Sequence, residues 1–261
     1  MTDATTAVAT TTVAQAAGPL LDPAAFSERL RGEGAARYHD HHPFHVAMHE
    51  GRLGREDLAR WVANRYYYQT RIPIKDALIL AKSEDPAFRR AWIRRIHDHD
   101  GEADGEVPGE GGLAQWLRLA RAVGLDAAEV ASCRDVLPGV RFACDAYVSL
   151  VRDSSLVVAV ASSLTEFFAP DLMSRRIAAW EQHYPFVDAA ALAYFRGRVP
   201  RARRDSEEAV AFVVEQARTR ALQEECVGAL IRKTEILWHL LDCVTAASTD
   251  DQLRARRAAG P

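Results

Sequence analysis

The stretch LVVAVASSLTEFF, residues 156–168, decides the fold. Apolar side chains fall on every side of it, and only Ser162, Ser163, Thr165 and Glu166 interrupt them before Pro170. A helix that is apolar all round is stable only when other elements enclose it, which puts this segment at the centre of a bundle. Working outward, apolar residues recur three and four positions apart and strand-like alternation is nearly absent, so an all-α, single-domain helical bundle is predicted. Asp22-Pro23 caps and opens a first helix that Gly32 and Gly34 close. A long helical pattern over 55–82 meets Pro73, which removes a backbone donor and predicts a kink. Another runs over 86–100 and stops at Gly101. Residues 102–112, rich in Gly and acids, read as a surface loop. Further patterns cover 113–123, 127–133, 140–152, 171–183, 189–198, 205–217 and 222–246.

The chain has 261 residues, 48% apolar and 26% charged, an ordinary globular composition without an internal break. One domain over 21–247 is expected, with disordered tails at 1–20 and 248–261. A net charge of −3 argues against nucleic-acid binding. No apolar stretch is read as approaching the ~20 residues of a membrane span, and the Thr- and Ala-rich N-terminus lacks the basic lead of a secretion signal. Cys133, Cys144, Cys226 and Cys243 form no Cys-x-x-Cys pair, so neither a thiolate metal site nor a disulfide frame is expected, and a reduced cytoplasmic setting fits.

Several polar residues sit where a core should be. Arg65, Tyr68 and Gln69 share one helix face beside Trp61 and Ile72; that face is either solvated or an inward-facing site. Arg95 and His99 are one turn apart, and His99 lies in a last helical turn between Asp98 and Asp100, where dipole and acids raise imidazole basicity. Lys233 lies on the stripe of Leu230, Leu237, Leu240 and Val244: a buried ammonium there needs a partner, unless it snorkels at the bundle edge. Ser162, Thr165 and Glu166 form a small polar face on the central segment. Tyr194 and Arg198 repeat the Arg-plus-aromatic spacing, which an ordinary surface stack would also produce. Together these residues point several cations and one carboxylate inward, an arrangement that a polycarboxylate ligand would complete. His39, His41, His42, His45 and His49 include metal-compatible spacings, yet no Glu-x-x-His pair of the di-iron kind is present, and no metal is expected.

These residues resemble the pyrroloquinoline-quinone synthase family over about 26–245. The resemblance rests on Tyr38-His39 with His41-His42-Pro43, the run from Trp61 to Gln69 continuing to Asp76, His97 to Gly101, Leu137 to Phe142, Ser162 to Glu166, His183-Tyr184-Pro185, Tyr194-Phe195 with Arg198, and Lys233 before Ile236-Leu237-Trp238. It implies a haem-oxygenase-like bundle without haem, a cytoplasmic homodimer that uses no metal or organic cofactor. The implied reaction is ring closure and eight-electron oxidation of a bicyclic amino-polycarboxylate to the quinone, with dioxygen as co-substrate and hydrogen peroxide released. Carried over position by position, the resemblance implies substrate contacts at Tyr38, His39, Arg65, Tyr68, Gln69, Arg95, Thr165, Glu166, Arg176 and Lys233. His99 is expected as the base, with Tyr194 and Arg198 beside reduced oxygen.

Two departures from the family pattern stand out. The loop after Gly101 is longer and more acidic, and Met173 stands where some members carry a His. Two alternatives remain at this stage: a thiaminase-like hydrolase of the same superfold, which needs an activated Cys, and a carrier that binds the quinone without making it.

Overall fold

The computed structural model describes residues 18–102 and 110–258, with side chains to residue 249. Most of the expected N-terminal tail and residues 103–109 of the acidic loop lie outside the described residues. In chain order the helices are α1 (Pro23–Arg37), α2 (Pro43–His49), α3 (Arg55–Ala81), α4 (Pro86–Trp92), α5 (Arg94–Asp100), α6 (Gly112–Ala122) and α7 (Ala127–Ser132), followed by α8 (Pro138–Asp153), α9 (Leu156–Ala161), α10 (Ala169–His183), α11 (Ala193–Gln216) and α12 (Arg220–Ala258). No strand occurs among the described residues.

The 156–168 stretch is interior as expected but is not one helix. It ends as α9 at Ala161, turns at Ser162–Ser163 and continues as a 3-10 turn, Leu164–Phe168, into α10. The turn spends its polar groups locally: the Ser162 hydroxyl donates to the Ala159 carbonyl, and Ser163 accepts from Lys75. By length and composition, Leu156–His183 could cross a membrane, with a mean hydropathy of 1.4, which corrects the expectation that no stretch comes close. Here 67% of that apolar window is buried inside the bundle, as a soluble core helix would be.

Other boundaries also differ. α1 passes through Gly32 and Gly34, and a Cβ on Gly34 would lie 2.6 Å from the Phe168 ring, so this glycine allows α1 to approach the 3-10 turn instead of ending the helix. The 86–100 pattern breaks at Ile93 into α4 and α5. α11 is continuous through Pro200, and α12 continues past the expected tail boundary at Ser248. There Ser248 donates to Asp57 and accepts from Arg60, tying α12 to α3.

The core is a set of interlocked aromatic rings. Trp61 of α3 lies 5.5 Å from Trp116 of α6 and 6.1 Å from Trp180 of α10, and Trp180 lies 5.7 Å from Phe195 of α11. The Trp116 indole donates to the Val62 carbonyl, fixing α6 on α3. Each buried aromatic contributes on the order of 2–3 kcal/mol relative to exposure. These rings form the rigid floor on which the polar cavity rests.

Candidate active site

One cavity is lined from eight segments of the chain. α3 supplies Arg65, Tyr68, Gln69 and Ile72; α5 supplies His99; the 3-10 turn supplies Thr165 and Glu166. α10 contributes Ala169, Met173 and Arg176, α11 contributes Tyr194 and Arg198, and Tyr38 and His39 enter from the α1–α2 link. Trp116 and Leu237 complete the lining. Lys233, one turn before Leu237 on α12, lies behind Tyr68 and donates to its hydroxyl at 2.8 Å. Arg95 is buried but does not line the cavity.

The cations fall into two groups. Arg65, Arg176 and Lys233 have no carboxylate within ion-pair distance among the described residues, and rely on rings and neutral acceptors instead. The Arg65 guanidinium lies 3.9 Å from the Tyr68 ring centroid, and Lys233 Nζ lies 3.4 Å from that of Tyr147. Arg176 bonds His45 Nε2 at 3.2 Å and leaves its Nε without a partner. Burial, with Arg65 nearby, lowers the Arg176 guanidinium to about 9 and pulls the Lys233 ammonium well below its ordinary range. Arg95 and Arg198 form the second group, both paired to buried Asp205, with Arg198 also bound to Glu166. Burial disfavours the Arg198 charge, but Glu166, Tyr194 and Asp205 outweigh it and hold the guanidinium above its usual range.

His99 differs from the sequence expectation. Burial and then Arg198 depress its imidazole to about 3, instead of the raised basicity expected from its helix end and flanking acids. The acids are not directed at it: Asp98 pairs with Arg201 and Arg204, and Asp100 is exposed. His99 Nδ1 bonds the Arg95 carbonyl at 3.1 Å, an arrangement that puts the proton on Nδ1 and leaves Nε2 as a free lone pair. A Cβ on Gly111 would meet the His99 carbonyl and Gly101 nitrogen at 2.3 Å, so the chain returning from the acidic loop presses directly on the segment carrying His99.

His42 and His45 are individually occupied. His45 Nδ1 donates to the His39 carbonyl at 2.9 Å, while His42 accepts from Phe44 N–H and reaches Asp242 at 3.1 Å. His39 stacks on Tyr38 and keeps an unpartnered Nδ1. Among the described residues no group of three or more metal-ligating side chains converges. Tyr194 donates to Gln69 Oε1 at 2.7 Å, and Met173 Sδ faces Arg176 at 3.8 Å. No cysteine lines the cavity, and burial pushes the Cys144 thiol up to about 12.

The bundle and its cation-rich cavity define a haem-oxygenase-like class of helical protein. A solved domain from Shewanella denitrificans described as having a heme oxygenase-like fold matches with a TM-score of 0.70 at 14% identity, covering 89% of this chain and 96% of that one. A TenA homolog from Pseudomonas syringae pv. tomato matches at 0.69, again with 14% identity, over 88% of this chain and 97% of that one. The family is more specific: the model of the TENA/THI-4/PQQC family matches residues 28–243, and the chain belongs to that family. Relatives named pyrroloquinoline-quinone synthase include one from Ectopseudomonas mendocina, 53% identical over 227 residues, which is 87% of this chain and 89% of that protein. Another, from Rhizobium meliloti, is 53% identical over 226 residues, 87% of each chain.

Asp205 and His45, both buried and both bonded to site arginines, were absent from the sequence-based list. Asp205 opens the predicted 205–217 helix, between Arg203-Arg204 and Glu207-Glu208, and nothing in its spacing marks it as inward. His45 was read only as one of a His run.

Proposed function

We propose that this chain is a pyrroloquinoline-quinone synthase, catalysing ring closure and eight-electron oxidation of the bicyclic amino-polycarboxylate precursor with dioxygen and releasing hydrogen peroxide. One observation carries the reading: Arg65 and Arg176 line one cavity, Lys233 lies behind its Tyr68 wall, and none of the three has a carboxylate within ion-pair distance among the described residues. Unpaired buried cations cost several kcal/mol each, and a ligand with several carboxylates removes that cost. Relatives at 53% identity bearing the synthase name support the same conclusion.

The precursor's carboxylates would meet Arg65, Arg176 and Lys233, with Tyr38, His39, Gln69 and Thr165 adding hydrogen bonds. His99 Nε2 is the proton acceptor; in the empty cavity it is a weak base, and the bound polyanion strengthens it by stabilising imidazolium. Removing a proton leaves an electron-rich anion that passes electrons to dioxygen. Two electrons and two protons convert each dioxygen to peroxide, with the Tyr194 hydroxyl and Arg198 charge stabilising the reduced forms. Glu166, which pairs with Arg198, would take the substrate amine or relay a proton. Arg95 acts from behind, through its carbonyl on His99.

The chemistry proposed uses no metal or organic cofactor, consistent with imidazoles that are committed to carbonyl, carboxylate and guanidinium partners. A cytoplasmic homodimer is proposed with it, checked by sedimentation. The thiaminase-like alternative lacks its thiolate, since no cysteine reaches the cavity. The test is purified, chelator-treated protein mixed with precursor anaerobically and then aired, following quinone absorbance and peroxide. Quinone formation with peroxide is expected. Binding without oxidation would favour a carrier, and activity restored only by added iron or manganese would overturn the metal-free proposal.

A further inference from the structure

We propose that Asp205 is the positioning residue of this site: one buried carboxylate aims the oxygen-side cation and supplies the negative charge that acts on the base. The proposal rests on the function proposed above. Asp205 is 1% exposed and stands where α11 passes α5. Its Oδ2 lies 3.5 Å from Arg198 Nη1 and 3.8 Å from Arg95 Nη1, and its Oδ1 takes Arg204 Nη2 at 2.8 Å and Nε at 3.1 Å. Its backbone carbonyl accepts from Arg95 Nη2. Arg95, pinned at both ends of this residue and against the Trp92 ring at 3.9 Å, offers its own carbonyl to His99 Nδ1. The direction of Arg198 and the negative charge acting on His99 therefore share one origin, while the His99 tautomer is set by the Arg95 backbone carbonyl within α5.

Two consequences follow from the charge. Glu166 also holds Arg198 in the empty cavity; once a substrate amine draws Glu166 away, Asp205 is the carboxylate that keeps the guanidinium in place. The charged groups acting on His99 are Arg198 and Asp205 from α11 and Lys75 from α3, and Asp205 is the one that favours imidazolium. Neutralising Asp205 makes the cavity more positive by one charge and makes His99 a weaker base. A bound polycarboxylate should then be held more tightly while oxidation slows, so binding and turnover move in opposite directions. A residue that only supported the fold would lose both together.

The experiment compares the parent with Asp205→Asn and Asp205→Glu for quinone affinity by titration calorimetry and for oxidation rate across pH 6–9. Expected for Asp205→Asn are quinone binding at least as tight as the parent's, turnover reduced at least tenfold, and a pH profile displaced from the parent's. Asp205→Glu keeps the charge one methylene further out, so its turnover should lie between the two. Parent-like turnover and pH profile in Asp205→Asn, or affinity and turnover falling in parallel, would overturn the proposal. If Asp205→Asn does not fold, Asp205→Glu decides: a turnover loss of threefold or more with unchanged affinity supports the role, and parent turnover removes it. Should the parent itself oxidise nothing, the proposed function fails, while the affinity comparison still tests whether Asp205 sets the cavity's charge.

Discussion

Replacing Lys233 with Met separates binding from folding in opposite directions. The ammonium is 1% exposed, has Tyr68 as its hydrogen-bond acceptor and Tyr147 beneath it, and lacks a carboxylate. Met retains most of the volume and removes the desolvated charge. Apolar replacement of buried ionic groups stabilises by about 1–4 kcal/mol in favourable cases, and the lost cation–π contact offsets up to ~2 kcal/mol of that. A net gain on the order of 1 kcal/mol corresponds to a rise of roughly 2–4 °C in Tm for a chain of this size. Losing a charge-assisted bond to a ligand carboxylate costs about 1.5–3 kcal/mol, which is a fall of roughly 10- to 150-fold in quinone affinity.

The sign of the pH effect gives a second readout for this variant. A lysine whose folded pKa lies below its unfolded value binds fewer protons when folded, so the parent should gain stability as pH rises from that depressed value towards 10.5. Lys233→Met should lack that slope. Scanning calorimetry of both proteins from pH 7 to 10, with and without quinone, makes the comparison. A variant that melts lower than the parent when empty, binds quinone as well as the parent does, or shows the parent's pH slope would refute the reasoning.

Oxidation by His99→Ala should fall by about 10²- to 10⁴-fold, the usual loss for a positioned base, with quinone affinity largely kept; single-turnover absorbance after air admission measures it, and a parent rate would dismiss His99 as base. Tyr194→Phe keeps the ring but not the hydroxyl, so partly oxidised species should accumulate in the same assay. Acid unfolding should be steep, because burial lowers His39 and His45 well below 6.5, His99 to about 3 and His49 to about 4. These imidazoles are neutral when folded and take up protons when unfolded, so stability present above pH 6.5 is lost as pH falls below it, at up to ~1.4 kcal/mol per pH unit for each group. Urea titrations at pH 7, 6 and 5 should show that decline, and a flat response would contradict it. Gly111→Ala, whose Cβ meets backbone at 2.3 Å, should destabilise by about 1–3 kcal/mol and slow oxidation, measured by denaturation and turnover; unchanged values would mean the contact yields freely.

The fold and most of the lining were legible because burial leaves a periodic trace. Lys233 stands out on its apolar stripe, and Arg65, Tyr68 and Gln69 share a face that one helix carries into the cavity. What periodicity does not carry is the pairing between distant segments. Arg95 was expected on the substrate and Arg198 beside reduced oxygen; Asp205 pairs with both, and that carboxylate is visible only when α5 and α11 are brought together. His99 shows the same limit from the other side. Its sequence neighbours Asp98 and Asp100 suggested a raised pKa, but Asp98 turns to Arg201 and Arg204, and burial first, then Arg198 far along the chain, set the opposite sign. The gap left between the 189–198 and 205–217 patterns is bridged in the structure, where α11 runs through Pro200 and is held as one rod by its packing on α10 and by ion pairs around Arg204.

Three cations without a carboxylate partner among the described residues have a consequence for how the proposed multistep oxidation would proceed. Carboxylates that do not react look the same in the first intermediate and the last, so Arg65, Arg176 and Lys233 would grip every stage of the reaction with similar strength. Such uniform binding adds nothing to the rate of any chemical step. It would confer processivity instead: a half-oxidised, reactive species would have no weaker moment in which to escape. The same indifference would extend to the finished quinone, whose departure would return three charges without carboxylates to the interior and so oppose release.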